Sequence, residues 1–390
     1  MIAPRTERDN STSTRKPIRL LLVAPALRIL GGQAVQANYL LEHLSREPGF
    51  EVSFVPHNPR LPGPLRLLQS IKYVRTLVTS FVYCINLLIK VPRADIVHTF
   101  SASYLSFLLA PAPAILIARL YGKKVVLNYR SGEAEDHLRC WPRTSVPIMR
   151  LADELIVPSQ YLIDVFRKFG LRASAIANII DQSRFKFRER KPLRPIFFSN
   201  RNLYPLYNVG CILRAFAKIQ QHFPESKLII AGDGSQRLSL EELARRLKLR
   251  NVEFRGRVAP GKMNELYDET DIYLNSSNID NMPGSILESF ASGVPVVSTS
   301  AGGIKCIVTH EQTGLLVPKN DYDAMASWAI KLLESPEMAA SIARNAYEEC
   351  SAYTWEAVRE SWRAAYERLA GREAYVGGAV VAEQMILEDK

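Results

Sequence analysis

Asp280 and Glu288 stand eight positions apart in LNSSNIDNMPGSILESFASGVPVVSTSAGG, residues 274–303. In this segment a strand-like run ends at Asn275, a polar loop carries Asp280 and Asn281, and a helical run begins near Pro283. Proline suits a first helical turn because it has no amide to leave unpaired. The free amides of Gly284, Ser285 and Ile286 then point out of the helix start, where the positive end of the dipole makes a site for a diphosphate. Gly284 lets a backbone approach closely. Glu288, one to two turns further on, can accept hydrogen bonds from two ribose hydroxyls, and Gly293 is placed to end the helix. The plain alternative is that Asp280 and Asn281 only cap a helix, Glu288 is a solvated charge, and the prolines and glycines are punctuation.

Other residues stand where strands end. Arg201 follows the run PIFFSN with a planar fork of donors suited to phosphate, although a lone arginine there is usually a surface charge. Asp233 and Gly234 lie in the turn AGDG, and Arg257 flanks a strand. Arg130-Ser131-Gly132-Glu133, with Asp136 and His137, follow another strand and are placed to face a cleft; a polar helix start explains them equally well. The five cysteines are scattered without a C-x-x-C pair and the six histidines lack paired spacing. No structural metal is expected, and a reducing compartment fits best.

Holding such residues at strand ends requires alternating strands and helices. Residues 18–25 form a buried-strand run, followed by a loop ending in Gly31-Gly32 and a helical run. Further strands are read at 51–57, 94–100, 123–130 and 153–159. A charged, proline-bearing stretch, QSRFKFRERKPLRP, then precedes a second series with strands at 195–200, in KLIIAGDG, VEFRGRV, DIYLNSS and VPVVSTS, separated by amphipathic helices. The reading is an α/β chain of two doubly wound, Rossmann-like domains facing each other across a cleft. Its expected divisions are a disordered leader (1–16), a first Rossmann-like domain (17–188), a second (189–353), and a C-terminal helix plus a tail (354–390).

In this order the motifs resemble the signature of the family-4 retaining glycosyltransferases, with two acids eight positions apart, a helix and a G-x-P-V-V strand. The Gly31-Gly32 loop, DIVH, DELIVPSQYL, NIID, AGDG and TGLLVP fit the same template over nearly the whole chain. The resemblance implies a GT-B fold and a metal-independent enzyme with no cofactor beyond its co-substrate, a UDP- or GDP-type nucleotide diphosphate sugar. It implies transfer to an acceptor hydroxyl on a glycan, a lipid-linked molecule or a small molecule, with retention of anomeric configuration. It assigns catalysis to Arg201 and Asp280, with Arg130 a catalytic candidate at the place of a family histidine, and donor binding to Gly32, Arg201, Asn281, Gly284, Ser285, Glu288 and Arg257. It also makes 17–188 the acceptor-binding domain and 189–353 the nucleotide-sugar-binding domain, with the helix of 354–390 crossing back to the first domain. Three positions depart from it. The lysine expected six residues after Arg201 is Tyr207, the histidine expected near residue 130 is Arg130, and the G-G-x-P-E loop reads Gly302-Gly303-Ile304-Lys305-Cys306. Arg130 or Lys305 is then the candidate for the missing cation. The alternative is a weak or inactive nucleotide-sugar-binding homologue in a polysaccharide assembly complex.

The 390 residues carry a formal charge of +11 and 47% hydrophobic residues, enough for two cores and for attraction to an anionic partner. The basic residues are dispersed, which argues against nucleic acid. Residues 1–16 lack an apolar core, and the apolar runs at 76–89 and 106–118 are shorter than a bilayer span, so a cytoplasmic protein is expected. Arg60, Arg66, Lys72, Arg75 and Lys90 around the first run predict peripheral contact with an anionic membrane; a core helix is the competing reading.

Overall fold

The computed structural model describes residues 16–26, 31–61, 63 and 71–372. The expected leader, except Lys16, and the tail after Arg372 lie outside the described residues.

The strands are β1 (Ile18–Ala24), β2 (Phe50–Pro56), β3 (Ile96–Ser101), β4 (Lys124–Tyr129), β5 (Glu154–Val157), β6 (Ser174–Ala175), β7 (Ile196–Ser199), β8 (Lys227–Ala231), β9 (Val252–Gly256), β10 (Ile272–Asn275), β11 (Val296–Thr299) and β12 (Leu315–Val317). They form two six-stranded sheets, in the orders β2-β1-β3-β4-β5-β6 and β12-β11-β10-β7-β8-β9. Every pairing between strands is parallel. The α/β, two-domain reading is therefore correct. The short edge strands β6 and β12 add to it.

Continuous apolar strands make this arrangement because both faces of a parallel sheet must be covered. In β1, Leu21 and Val23 enter the core on one side, while Ile18, Leu20 and Leu22 enter the core on the other. In β8, Leu228 and Ile230 divide from Ile229 and Ala231 in the same way. Toward their carboxyl ends the strands turn polar: Ser101, Asn128, Ser199, Asn275, Ser298 and Thr299 are all buried there. The apolar parts build the cores, and the polar ends build the floor of a cleft.

The charged stretch between β6 and β7 is anchored to the second sheet's domain. Arg188, Arg190 and Arg194 surround the buried Asp271 carboxylate at 3.1, 3.4 and 2.9 Å. At the other end of the chain, the helix Trp355–Leu369 returns to the first sheet, where Trp355, Val358, Trp362 and Tyr366 join the core around β1. The two connections between the sheets meet where the Ile180 amide donates to the Tyr353 carbonyl at 2.8 Å.

One helix is longer than its apolar run suggested. Lys72–Lys90 continues through a 3-10 turn to Arg93, and residues 74–93 are long and apolar enough, by length and composition, to cross a membrane. The fold gives it another place. It connects β2 to β3 of one sheet and buries Tyr83 and Leu87 in that sheet's core.

Candidate active site

In the second sheet the strand order reverses between β7 and β10, so the connections leaving them diverge and open a crevice. Arg201 leaves β7 and residues 276–283 leave β10, which brings two segments far apart in sequence together. The Arg201 guanidinium pairs with the Asp280 carboxylate and donates to the Ser285 hydroxyl at 3.3 Å. It lies over the Tyr207 ring, 4.2 Å from the centroid, a cation–π contact. Burial alone would lower the basicity of this arginine, but the Asp280 charge wins and raises it above its ordinary value. Its Nε is buried without a hydrogen-bond partner, as is Asn281 Nδ2, so each keeps an unused donor.

The helix proper spans Gly284–Ala291, with Pro283 as its N-cap in extended conformation and no side-chain cap. The start is thus one residue later than the proline suggested, and Asp280 and Asn281 do not cap it. Their work is elsewhere. Asp280 accepts from Ser277 at 3.0 Å and from the Asn281 amide at 3.0 Å, while Asn281 receives the Ser159 hydroxyl from the first domain. A Cβ built on Gly284 would meet nothing within 4 Å, so the helix start opens on free space. At the other end Gly293 has φ +65, with its amide bonded to Phe290 and the Val294 amide to Ser289; this is the glycine-terminated end expected from the sequence. Arg190, fully buried, donates there to the Ser292 and Gly293 carbonyls at 2.6 and 3.0 Å, placing a cation at the negative end of the dipole.

Glu288 is half-buried, not solvated. One carboxylate oxygen accepts from the Tyr267 hydroxyl at 2.9 Å and the Asn200 amide at 3.3 Å. Burial pushes its pKa up, opposed by those two hydrogen bonds and by the charges of Arg184 and Arg201. Tyr39, on the first helix of the facing domain, receives Arg184 at 3.2 Å and is acted on by the Glu288 charge. The Glu288 charge is thus felt in the first domain, while its hydrogen bonds come from the second.

The loop that carries Asp280 is enclosed from both sides, by Gly132 of the first domain and Gly302 of the second. A Cβ on Gly132 would stand 3.0 Å from the Asp280 backbone, and one on Gly302 (φ +50) 2.1 Å from the Asp280 carbonyl oxygen. Neither position has room for a side chain. Asn178 donates to the Met282 carbonyl at 2.6 Å, and Arg130 grips Asn178 and also donates to Asn128 at 2.9 Å. The Arg130 guanidinium lies over Phe100, and burial lowers its pKa to about 9. Arg130 thus acts on the site through Asn178, and none of these partners belongs to the helix start. Behind it, His98 bonds Asn128 at 3.0 Å and the Tyr366 hydroxyl at 2.7 Å. Glu133 stands at the N-cap of the helix Ala134–Cys140 without capping it through its side chain.

The remaining candidates lie further out. Gly32 opens the first helix, and a Cβ there would be unobstructed. Arg257 is exposed and meets Asp233 at 3.5 Å. Lys305 is exposed in the 3-10 turn Gly302–Cys306 and makes no ion pair among the described residues. Sequence reasoning missed Asn200, Tyr267, Asn178, Ser159 and Arg190. Asn200 alone carried a signal, as the last residue of the run before Arg201. Ser159 and Asn178 lie in the template motifs DELIVPSQYL and NIID without being singled out there, and Tyr267 and Arg190 come from segments whose spacing announces nothing.

Residues 30–184 match the family model described as glycosyltransferase family 4, and residues 180–349 the model described as glycosyl transferases group 1. An exopolysaccharide phosphotransferase of Streptomyces coelicolor is 30% identical over 55% of this chain, which spans only 22% of that protein's length. Glycogen synthase of Mycobacterium tuberculosis is 26% identical over 68% of this chain and 67% of its own. Among solved structures, Anabaena HepE in complex with UDP and glucose aligns with a TM-score of 0.71 at 18% identity, over 89% of this chain and 99% of that one.

Proposed function

We propose that this chain, which belongs to the group-1, family-4 glycosyltransferases and has their GT-B fold, transfers a sugar from a nucleotide diphosphate donor to an acceptor hydroxyl with retention of anomeric configuration. The observation that carries the reading is the convergence of Arg201, the open helix start at Gly284 and the half-buried Glu288 carboxylate at the reversal point of the second sheet.

In this proposal the diphosphate lies against the amides of Gly284 and Ser285, with the Arg201 guanidinium beside it. Glu288 keeps an oxygen for the ribose, oriented by Tyr267 and Asn200. The base lies toward Arg257, and Gly32 lets the first domain approach the phosphates. Asp280 faces the sugar and holds Arg201 until the donor arrives. The bond from the anomeric carbon to the diphosphate breaks, the bond to the acceptor oxygen forms on the same face, and the acceptor proton passes to the departing phosphate. Charge on that phosphate grows as the bond breaks, so the buried Arg201 and the helix dipole stabilise the transition state more than the bound donor. These groups would serve without a metal ion. Arg130 is a positioning residue in this scheme, holding Asn178 on the Met282 carbonyl. A UDP-type donor is favoured because the structurally similar HepE holds UDP.

Glu288→Ala should weaken nucleotide binding on the order of tenfold, the value of one charged hydrogen-bond acceptor. Arg201→Ala should slow transfer by about 10²–10³-fold with a smaller change in binding, as loss of a single transition-state donor does. Thermal stabilisation by UDP and GDP reads the first, and turnover of a UDP-sugar reads the second; unchanged values in both variants would overturn the site. A second reading, a nucleotide-sugar-binding homologue that transfers poorly, is favoured by Tyr207, whose neutral ring packs under Arg201 where the family has a lysine. Donor binding without hydrolysis or transfer by the purified protein would establish it.

A further inference from the structure

The helix Lys72–Lys90 faces the wrong way for a helix that only covers a core. Tyr83 and Leu87 are buried, and the Tyr83 hydroxyl donates to the Ala110 carbonyl at 2.7 Å, so the helix is docked on its domain. Leu77, Phe81, Ile85 and Leu88 are 74, 67, 39 and 44% exposed. Spaced at four, four and three residues, they form one stripe along the solvent side. The neighbouring helix Pro111–Leu120 adds Leu116 and Leu120, 49 and 76% exposed. Six large exposed apolar side chains on two packed helices mark a contact rather than an accident of composition.

Charge identifies its partner. Residues 52–132 contain ten lysines and arginines and a single acid, Asp95, which is taken by Arg19. Most of the chain's +11 therefore resides in the segment that displays the stripe. Arg60, Arg75 and Arg93 are exposed and form no ion pair among the described residues. Apolar side chains flanked by free cations suit a bilayer containing anionic lipid: the side chains enter the acyl boundary while the cations meet headgroup phosphates. A nucleic acid would use the cations but leave the leucines in water.

We infer that the first domain seats on an anionic membrane through this stripe, lying on the surface without crossing it. The helix joins two parallel strands and so runs against them. Its first turn therefore stands at the carboxyl-end edge of the sheet, the edge that faces the cleft. An acceptor hydroxyl carried on a lipid would reach the cleft along that edge. This last step rests on the transferase reading; the seating itself does not.

Sedimentation of the full chain with vesicles tests it. The protein should pellet with phosphatidylcholine vesicles containing about a third phosphatidylglycerol at low salt, and be released as salt screens the headgroups. The double variant Leu77→Gln/Phe81→Gln should weaken binding on the order of a hundredfold, and Arg75→Gln or Arg93→Gln about fivefold each. All should keep their thermal stabilisation by UDP, which shows that they fold and separates this inference from the donor site. If UDP stabilises no form of the protein, the donor reading fails while vesicle binding still stands. Equal recovery with pure phosphatidylcholine vesicles would overturn the inference. So would a dimer in ultracentrifugation that Phe81→Gln dissociates without any vesicle binding, or tighter binding to an oligonucleotide than to the vesicles.

Discussion

The two sheets share one architecture and differ in how they hold buried polarity. Behind the second sheet, one carboxylate, Asp271, collects three arginines, and one of them, Arg190, also grips the end of the helix that begins at Gly284. The first domain buries neutral histidines instead. His98 and His137 sit in hydrogen-bonded chains with Tyr366, Asn128, Tyr129 and Ser145, and His57 packs edge-on to Tyr83. In the second domain His222 and His310 are exposed. Charged contacts thus brace the helix that begins at Gly284. In the first domain the buried histidines are neutral and join the buried Arg130 in bracing the strand ends, at the cost of sensitivity to acid.

The sharpest way to break this contrast is Asp271→Ala, which leaves Arg190 buried without its counter-charge. Removing one partner of a buried pair costs about 3–5 kcal/mol, so denaturant unfolding should show the second domain melting well before the first. Equal loss in both domains would mean that the clamp is not local. Gly302→Ala comes next. A methyl group would stand 2.1 Å from the Asp280 carbonyl at a left-handed φ, costing about 1–3 kcal/mol. Because the collision falls on the Asp280 loop, UDP affinity should drop along with the melting temperature; a drop in stability alone would detach that loop from donor binding.

The most diffuse effect, spread over a whole domain, concerns pH. Burial lowers His57 and His137 to about 4 and, with the Arg130 charge, His98 to about 3, from an ordinary 6.5. The folded state keeps all three neutral, whereas the unfolded chain takes up protons near 6.5. Their contribution is therefore intact above pH 6.5 and is lost progressively as pH falls toward 4. Amide hydrogen exchange at pH 5, compared with pH 7.5 after correction for intrinsic rates, should show protection lost first in residues 16–175. Earlier loss in the second domain would reverse the comparison.

The parts of this design that were readable in the sequence are those with a local signal. Central parallel strands are apolar runs, and the edge strands β2 and β9 alternate, so ten of the twelve were legible; β6 and β12, of two and three residues, are too short to show a period. Gly293 and the helix after Pro283 announced themselves because their backbone requirements are specific to residue type. Contacts made across sequence distance were hidden. Nothing in QSRFKFRERKPLRP distinguishes arginines that hold Asp271 from arginines in water, and Asn178 acquires its role only when Met282 arrives beside it. Arg130 could be placed at a strand end from the sequence, but its direction is set by Phe100 and Asn178, which no spacing rule connects.

The chain passes twice between the domains, and the two passages are stitched together where Ile180 bonds to Tyr353. A single tether would let the halves swing in any direction; two side by side act like the paired pins of a door. Any rotation of one half on the other would be confined to an axis near that seam, and would widen the far lip of the cleft more than the region beside the pins. For the same reason, a single protease cut near residue 190 would leave the two halves attached to each other through the returning C-terminal helix.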